Sequence, residues 1–210
     1  MTGQGVCWAL KEVHGGTLKG VRVGIQGAGA VGLGSAIRLT REGAHVVGIS
    51  DVDRFARLQE GLGEDALLEL VDRGRLRSES SAVTAWMARE NLFLEPVDAV
   101  VLAASSNSVD ASIAAKLLGG CVVEGSNFGL TPEAREVLAA RGVVVVPDVV
   151  ASSSSAAMVA HQLYARGKAR PEEMWDAIES CIRQEVREGL VGWKNEGERL
   201  RVRALRKAGL

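Results

Sequence analysis

Aromatic residues are scarce in this chain: one Tyr, three Phe and four Trp make up 4% of its 210 residues. So few flat side chains leave little platform for stacking single-stranded nucleic acid. Cysteine is scarce too, with Cys7, Cys121 and Cys181 far apart and no CxxC pair. That odd, sparse set excludes a disulfide framework and a cysteine zinc site, and it fits a reducing cytoplasm. All three cysteines read as small core residues. His14, His45 and His161 supply no metal-ligand spacing, so no metal is expected. Net charge is −1, which gives no overall field to draw in nucleic acid or an anionic membrane. Long apolar runs are missing as well. Stretches such as "AVVLAA" and "VVVV" are too short to span a bilayer, and "MTGQGVCWAL" lacks the basic and apolar regions of a secretory signal.

What such short runs do suit is buried strands. They recur at 21–26, 45–50, 98–103, 121–124 and 143–147. Helical periodicity occupies 30–42, 64–73, 82–89, 109–117 and 132–140. A further helix is expected over "TGQGVCWALKEVHGG", with Thr2 as N-cap and Gly15-Gly16 as its stop. Alternation of this kind specifies an α/β fold: a Rossmann-type, doubly wound parallel sheet between two helical layers. Beyond Pro147 only helical patterns remain, at 152–167, 171–190 and 196–208. The expected organisation is a nucleotide-binding domain over 1–165 with a helical C-terminal extension, 166–210, packed on it.

The chemistry concentrates in "VRVGIQGAGAVGLG", residues 21–34. Gly27, Gly29 and Gly32 form GxGxxG between a predicted strand and a predicted helix. In that setting the first glycine makes the turn and the second lets a pyrophosphate approach the backbone. The third lets helix and strand pack closely. The helix N-terminus supplies N–H donors and positive partial charge. Asp51 closes the next strand 19 residues after Gly32, where a carboxylate takes the adenosine ribose hydroxyls. A negative charge there favours NAD over NADP, and Arg54 could soften that preference by pairing with a phosphate.

Residues 2–163 resemble the nucleotide-binding domain of the glutamate/leucine/phenylalanine/valine dehydrogenases. The resemblance is carried by "TGQGV", "IQGAGAVG", "VVEGSNFGLTPEA" and "ARGVVVVPDVVA" in that order, and it leans to the glutamate branch through "EGSNFGLTPEA". It implies that Thr2 lies near the nicotinamide amide and that Gly27, Gly29, Ala30, Val31 and Gly32 lie under the pyrophosphate. It also implies that Asp51 holds the adenine ribose, that Ala103, Ala104 and Asn107 line the groove, and that Asn127 reaches the nicotinamide ribose. Ser152 replaces the asparagine of the family's N-A-G-G stretch, and Ser154 and Ser155 replace its glycines. Val159 stands where the glutamate branch has a serine that contacts the substrate side-chain carboxylate.

The same resemblance implies a substrate domain that precedes this one and brings a catalytic lysine and aspartate. None of Lys11, Lys19, Lys116, Lys168, Lys194 and Lys207 lies in the glycine-rich context of that lysine. Deamination needs a group that polarises the carbon–nitrogen centre and moves protons. The expectation is therefore an NAD(H)-binding domain without a catalytic residue of its own. It would work with a separate substrate-domain subunit or through self-association, without nucleic acid or membrane. The alternative is a non-catalytic NAD-binding or regulatory module derived from such an enzyme. Tyr164 and Lys168 form a YxxxK pair similar to that of short-chain dehydrogenases, but the glycine loop is not theirs and an ordinary helix face is expected. The basic "RLRVRALRK" is expected to be a solvated face or a docking surface.

Overall fold

The computed structural model describes residues 1–164, 170–196, 200–207 and 209, with side chains left undescribed at 161–164 and 193–196. The first helix, α1 (Thr2–Val13), is followed by β1 (Arg22–Gln26), α2 (Ala30–Arg41) and β2 (His45–Ser50). An excursion then runs through β3 (Arg54–Leu58), α3 (Glu64–Leu70), β4 (Val71–Asp72), β5 (Arg75–Leu76) and β6 (Val83–Ala88). The second half contains β7 (Ala99–Leu102), α4 (Ala111–Lys116), β8 (Cys121–Glu124), α5 (Pro132–Ala140) and β9 (Val144–Val146). Helices α6 (Asp148–Ala151), α7 (Ser153–Tyr164), α8 (Pro171–Glu196) and α9 (Leu200–Lys207) complete the described chain.

The main sheet has seven strands in the order β6-β3-β2-β1-β7-β8-β9. Pairing is parallel from β2 to β9, as alternating strands and helices require, and antiparallel at β2–β3 and β3–β6. β7 and β8 are buried at every position, the mark of strands covered on both faces. Two apolar clusters sit on opposite sides: Val23, Ile25, Ile49, Val101 and Val123 with α1 and α8, and Val100, Leu102, Val122, Leu130 and Leu138 with α4 and α5. Order reverses at β1, whose two neighbours are β2 and β7. A crevice for ligand forms beyond the strand ends at such a reversal.

Several expectations require correction. Residues 82–89 are not a helix; β6 occupies Val83–Ala88 as the antiparallel edge. Val83, Trp86 and Met87 fall at the i, i+3, i+4 spacing of a helix face, but pairing with β3 makes the segment a strand and sends Trp86 and Met87 to opposite clusters. β3 itself hides in the charged sequence "RFARL", where Phe55 is fully buried with its ring against Gly48. The helix expected over 64–73 stops at Leu70, and the β4–β5 hairpin follows. Met1, not Thr2, is the N-cap of α1, and no side chain caps it. Its C-terminal stop is as expected: Gly15 and Gly16 have φ of 72° and 97°, and Gly16 N–H returns to Lys11 O at 2.8 Å. Cys7 and Cys121 are buried, but Cys181 is exposed.

The boundary expected at 165/166 lies outside the described residues, as do Lys168 and the side chains of His161 and Tyr164. On the described part of the extension, α8 packs on α1. Trp8 meets Trp175 edge-on at 5.7 Å, and Glu12 accepts from Arg183 at 2.9 Å and Arg187 at 2.8 Å. The basic α9 also turns inward. Arg201 pairs with buried Asp148, and Lys207 reaches Glu185 and, at 3.2 Å, Glu188.

Candidate functional site

The glycine loop joins β1 to α2, and its three glycines differ in what surrounds them. Gly27 has φ 100°, and a Cβ there would lie 2.5 Å from Ala103 O. A Cβ on Gly32 would lie 1.8 Å from Gly27 O. Around Gly29 a Cβ would meet nothing within 4 Å. Two glycines are thus demanded by packing, and the third opens onto free space. Beside it the N–H groups of Ala30, Val31 and Gly32 begin α2, too early in the helix to find helical carbonyls. An open glycine at a helix N-terminus fits a dianionic pyrophosphate.

A cleft of about 560 Å³ lies alongside, walled by Gln26, Ser50, Asp51, Arg89, Ala104 and Asn107 among others. Asp51 is 8% exposed. Its Oδ1 accepts from the N–H groups of Asp53 and Arg54, and its Oδ2 from Leu76 N–H, all at 2.9 Å. Burial pushes this carboxyl up, but the N–H groups of Leu76, Arg54 and Asp53 outweigh it and hold the pKa below its usual value. Three of about four lone-pair sites are spent on the chain itself, so at most one ribose hydroxyl can be taken directly. The Leu76 bond belongs to the β4–β5 hairpin, whose tip lies on the glycine loop: a Cβ on Gly74 would stand 3.8 Å from Gly29 Cα.

Arg54 does not point into the cleft. Its guanidinium stacks 3.9 Å over Trp86 and donates to Leu76 O at 2.6 Å and Ser78 Oγ at 3.2 Å. The cation at this end of the cleft that the sequence did not disclose is Arg89. It follows β6, donates to Glu90 Oε1 at 2.6 Å and reaches Val52 O at 3.4 Å.

At the other end the loops after β7 and β8 are tied together. Asn107 N–H donates to Phe128 O at 2.6 Å, and Ser106 Oγ donates to Asn127 O at 2.8 Å. Both asparagines are exposed, and Asn107 takes φ 53°, a left-handed value that asparagine tolerates. Gly125 anchors this corner with Val31 on one side and Val6 on the other, each 3.2 Å from its would-be Cβ. Thr2 Oγ1 donates to Ser155 Oγ at 3.2 Å, which brings α1 against the serine cluster. Ser152, Ser153 and Ser155 turn their hydroxyls back to Asp148 O, Val150 O and Ser152 O. Ser154 is fully buried and donates to Met1 O at 3.1 Å. Asp51, Ala104 and Asn107 thus line one cleft, Gly29 lies beside the hairpin bonded to Asp51, Asn127 is tied to Ser106, and Thr2 is tied to the serine cluster that follows α6.

The sequence model of the glutamate/leucine/phenylalanine/valine dehydrogenases matches residues 1–208. This chain belongs to that family. It is 33% identical to the NADP-specific glutamate dehydrogenase of Saccharolobus shibatae, over 72% of this chain and 36% of that protein. With the glutamate dehydrogenase of Thermotoga maritima it shares 34%, over 72% and 37% of the two chains. Among solved structures, the hetero-hexameric glutamate dehydrogenase of Thermus thermophilus, in a leucine-bound form, superposes with a TM-score of 0.78 at 28% identity. That match takes in 97% of this chain and 49% of the other. The chain thus spans about a third of the length of these curated relatives and half that of the solved protein.

Within a dehydrogenase family that uses a nicotinamide cofactor, the open Gly29 and the tied asparagine loops are features of this chain's own geometry. Among the described residues no group of three or more His, Cys, Asp or Glu could hold a metal ion. No described helix is long and apolar enough to cross a membrane.

Proposed function

We propose that this chain is the dinucleotide-binding part of an amino-acid dehydrogenase and that it holds NAD or NADP along a track from Asp51 to Asn127. The observation that carries the reading is the asymmetry of the glycine loop. Gly27 and Gly32 are closed by backbone, whereas Gly29 is open beside the N-terminus of α2. Ala30, Val31 and Gly32 then offer N–H groups to the pyrophosphate. Asp51 takes the adenine ribose, and Ala103, Ala104 and Asn107 form the wall between the two halves. Asn127, Thr2 and Ser152 receive the nicotinamide half.

The bound cofactor would supply the hydride acceptor or donor. The described residues at the nicotinamide end offer hydroxyls and amides, which orient a ligand but do not titrate near neutral pH. Proton transfer at the amino-acid carbon is therefore assigned to a substrate domain, carried on another subunit or another segment. Relatives named glutamate dehydrogenases make glutamate and 2-oxoglutarate the first substrates to try.

Titration with NADH and NADPH, followed by nicotinamide fluorescence or calorimetry, tests the reading. Micromolar binding of either nucleotide, weakened by Gly29→Ala, supports it. No binding of either at millimolar concentration overturns it. Glutamate-dependent reduction of cofactor by the chain alone would refute the assignment of proton transfer to a partner.

A further inference from the structure

We infer that Arg89 is a docking cation for the 2′-phosphate of NADP, so that this chain accepts the phosphorylated cofactor in spite of the carboxylate at Asp51. The inference rests on the dinucleotide-binding reading above and adds to it the residue that would read the 2′-phosphate.

The argument begins with β6, the strand whose sequence imitates a helix. Its antiparallel register with β3 sets Ala88 opposite Arg54. The next residue, Arg89, is thereby carried to the segment that follows Asp51, and its Nη1 reaches Val52 O at 3.4 Å. Arg89 and Asp51 line the same cleft. A 2′-phosphate on a ribose held at Asp51 projects toward the turn after β2, which is residue 52.

The other charges near this turn are committed elsewhere. Asp51 spends three lone-pair sites on backbone N–H groups. Asp110, also on the cleft wall, caps α4 by accepting from Ile113 N–H at 2.9 Å. Arg54 is stacked on Trp86 and bonded to the hairpin. Arg75 is paired with Asp53 and does not line the cleft. Among the described residues, Arg89 is the one cation on the cleft wall. Its partner there is Glu90, the adjacent residue, with both side chains more than half exposed. A solvent-exposed pair of this kind holds weakly, and a phosphate offers the guanidinium a bidentate partner instead. Exchange of Glu90 for phosphate requires only a side-chain rotation.

The test compares NADH and NADPH dissociation constants in the wild type, Arg89→Ala, Arg89→Gln and, as a control, Arg75→Ala. The expected result is NADPH binding in the wild type that weakens about tenfold or more in both Arg89 variants. NADH binding should stay within about twofold, which also reports that the site is folded. Arg75→Ala should leave both constants unchanged. Wild-type binding of NADH without NADPH overturns the inference and leaves the dinucleotide reading standing. Equal losses for both nucleotides, or a selective NADPH loss in Arg75→Ala alone, also overturn it. Binding of neither nucleotide removes the underlying reading and this inference with it.

Discussion

Replacing Gly32 with alanine should damage fold and site together, whereas the same change at Gly29 should damage the site alone. A Cβ on Gly32 would stand 1.8 Å from Gly27 O, and contacts of that kind do not fall below 3.0 Å. The start of α2 must therefore back away from the loop by about 1.2 Å. Overpacking of a core costs about 1–3 kcal/mol, and a backbone carbonyl as the obstacle puts this case near the upper end. For a chain of this size that is a fall in melting temperature of about 6–12 °C. The same retreat lengthens N–H to phosphate bonds from about 2.8 Å to about 4 Å, beyond bonding distance, so NADH affinity should drop more than about tenfold. Gly29 has φ −72° and ψ −173°, which any residue adopts, and a Cβ there would meet nothing within 4 Å. Alanine there gains about 0.4–1 kcal/mol from a stiffer unfolded chain and loses a comparable N-cap preference, so stability should shift by less than about 1 kcal/mol. Its methyl nevertheless fills the approach to the pyrophosphate. Thermal melts read by circular dichroism, paired with NADH titration, separate the two variants. A Gly32→Ala chain that melts within about 2 °C of wild type and binds NADH normally would refute the reasoning. So would a Gly29→Ala chain that binds as the wild type does.

Asp51→Asn should lose about 2 kcal/mol at neutral pH, since one amide oxygen cannot replace a carboxylate that accepts three N–H bonds. Because the folded pKa of Asp51 is depressed, its contribution is complete above the unfolded value and disappears as pH falls through the folded one. The stability gap between wild type and variant, measured by urea titration, should therefore be constant near neutrality and close below about pH 4. Glu124 is fully buried and holds Arg135 at 2.5 and 2.7 Å and Leu130 N–H at 3.0 Å. Glu124→Leu should cost about 3 kcal/mol by stranding Arg135, and adding Arg135→Met should recover most of it in the denaturant midpoint. Burial pushes Cys7 and Cys121 up to about 12, so only Cys181 should react quickly with a thiol-specific reagent at pH 8. Denaturation should release the other two.

The parallel strands were legible because burial on both faces forces apolar runs: β7 reads Ala-Val-Val-Leu, and β8 is apolar up to its last residue, Glu124. The glycine loop was legible because three backbone constraints fall at fixed spacing. The antiparallel edge was not. β3 carries two arginines in five residues, and β6 is fully buried at none of its six positions, so neither shows the apolar continuity of the inner strands. Misreading β6 also hid Arg89, whose place depends on cross-strand register and not on local pattern. Asp51 was legible as a position, but its partners were not, because Leu76 N–H arrives from a hairpin 25 residues away. The serine cluster was legible only as replacements for an asparagine and two glycines. Its hydroxyls donate to backbone carbonyls at the junction of α6, α7 and α1, partners that the local pattern does not name.

The packing of α1 has a consequence for how the molecule comes into being. Trp8 and Glu12 find partners in Trp175, Arg183 and Arg187, so this helix is made long before the surface that covers it. At about 5–20 residues per second, about 10–30 s of synthesis separate Trp8 from Trp175. In that interval α2 can cover only one flank, where Gly3 lies against Gly34 and Ser35. The apolar flank around Trp8 and Leu10 is what a chaperone would meet on the ribosome. A chain cut before α8 would possess every strand of the sheet and still leave that flank bare, so completion of the last long helix, not of the sheet, closes the fold.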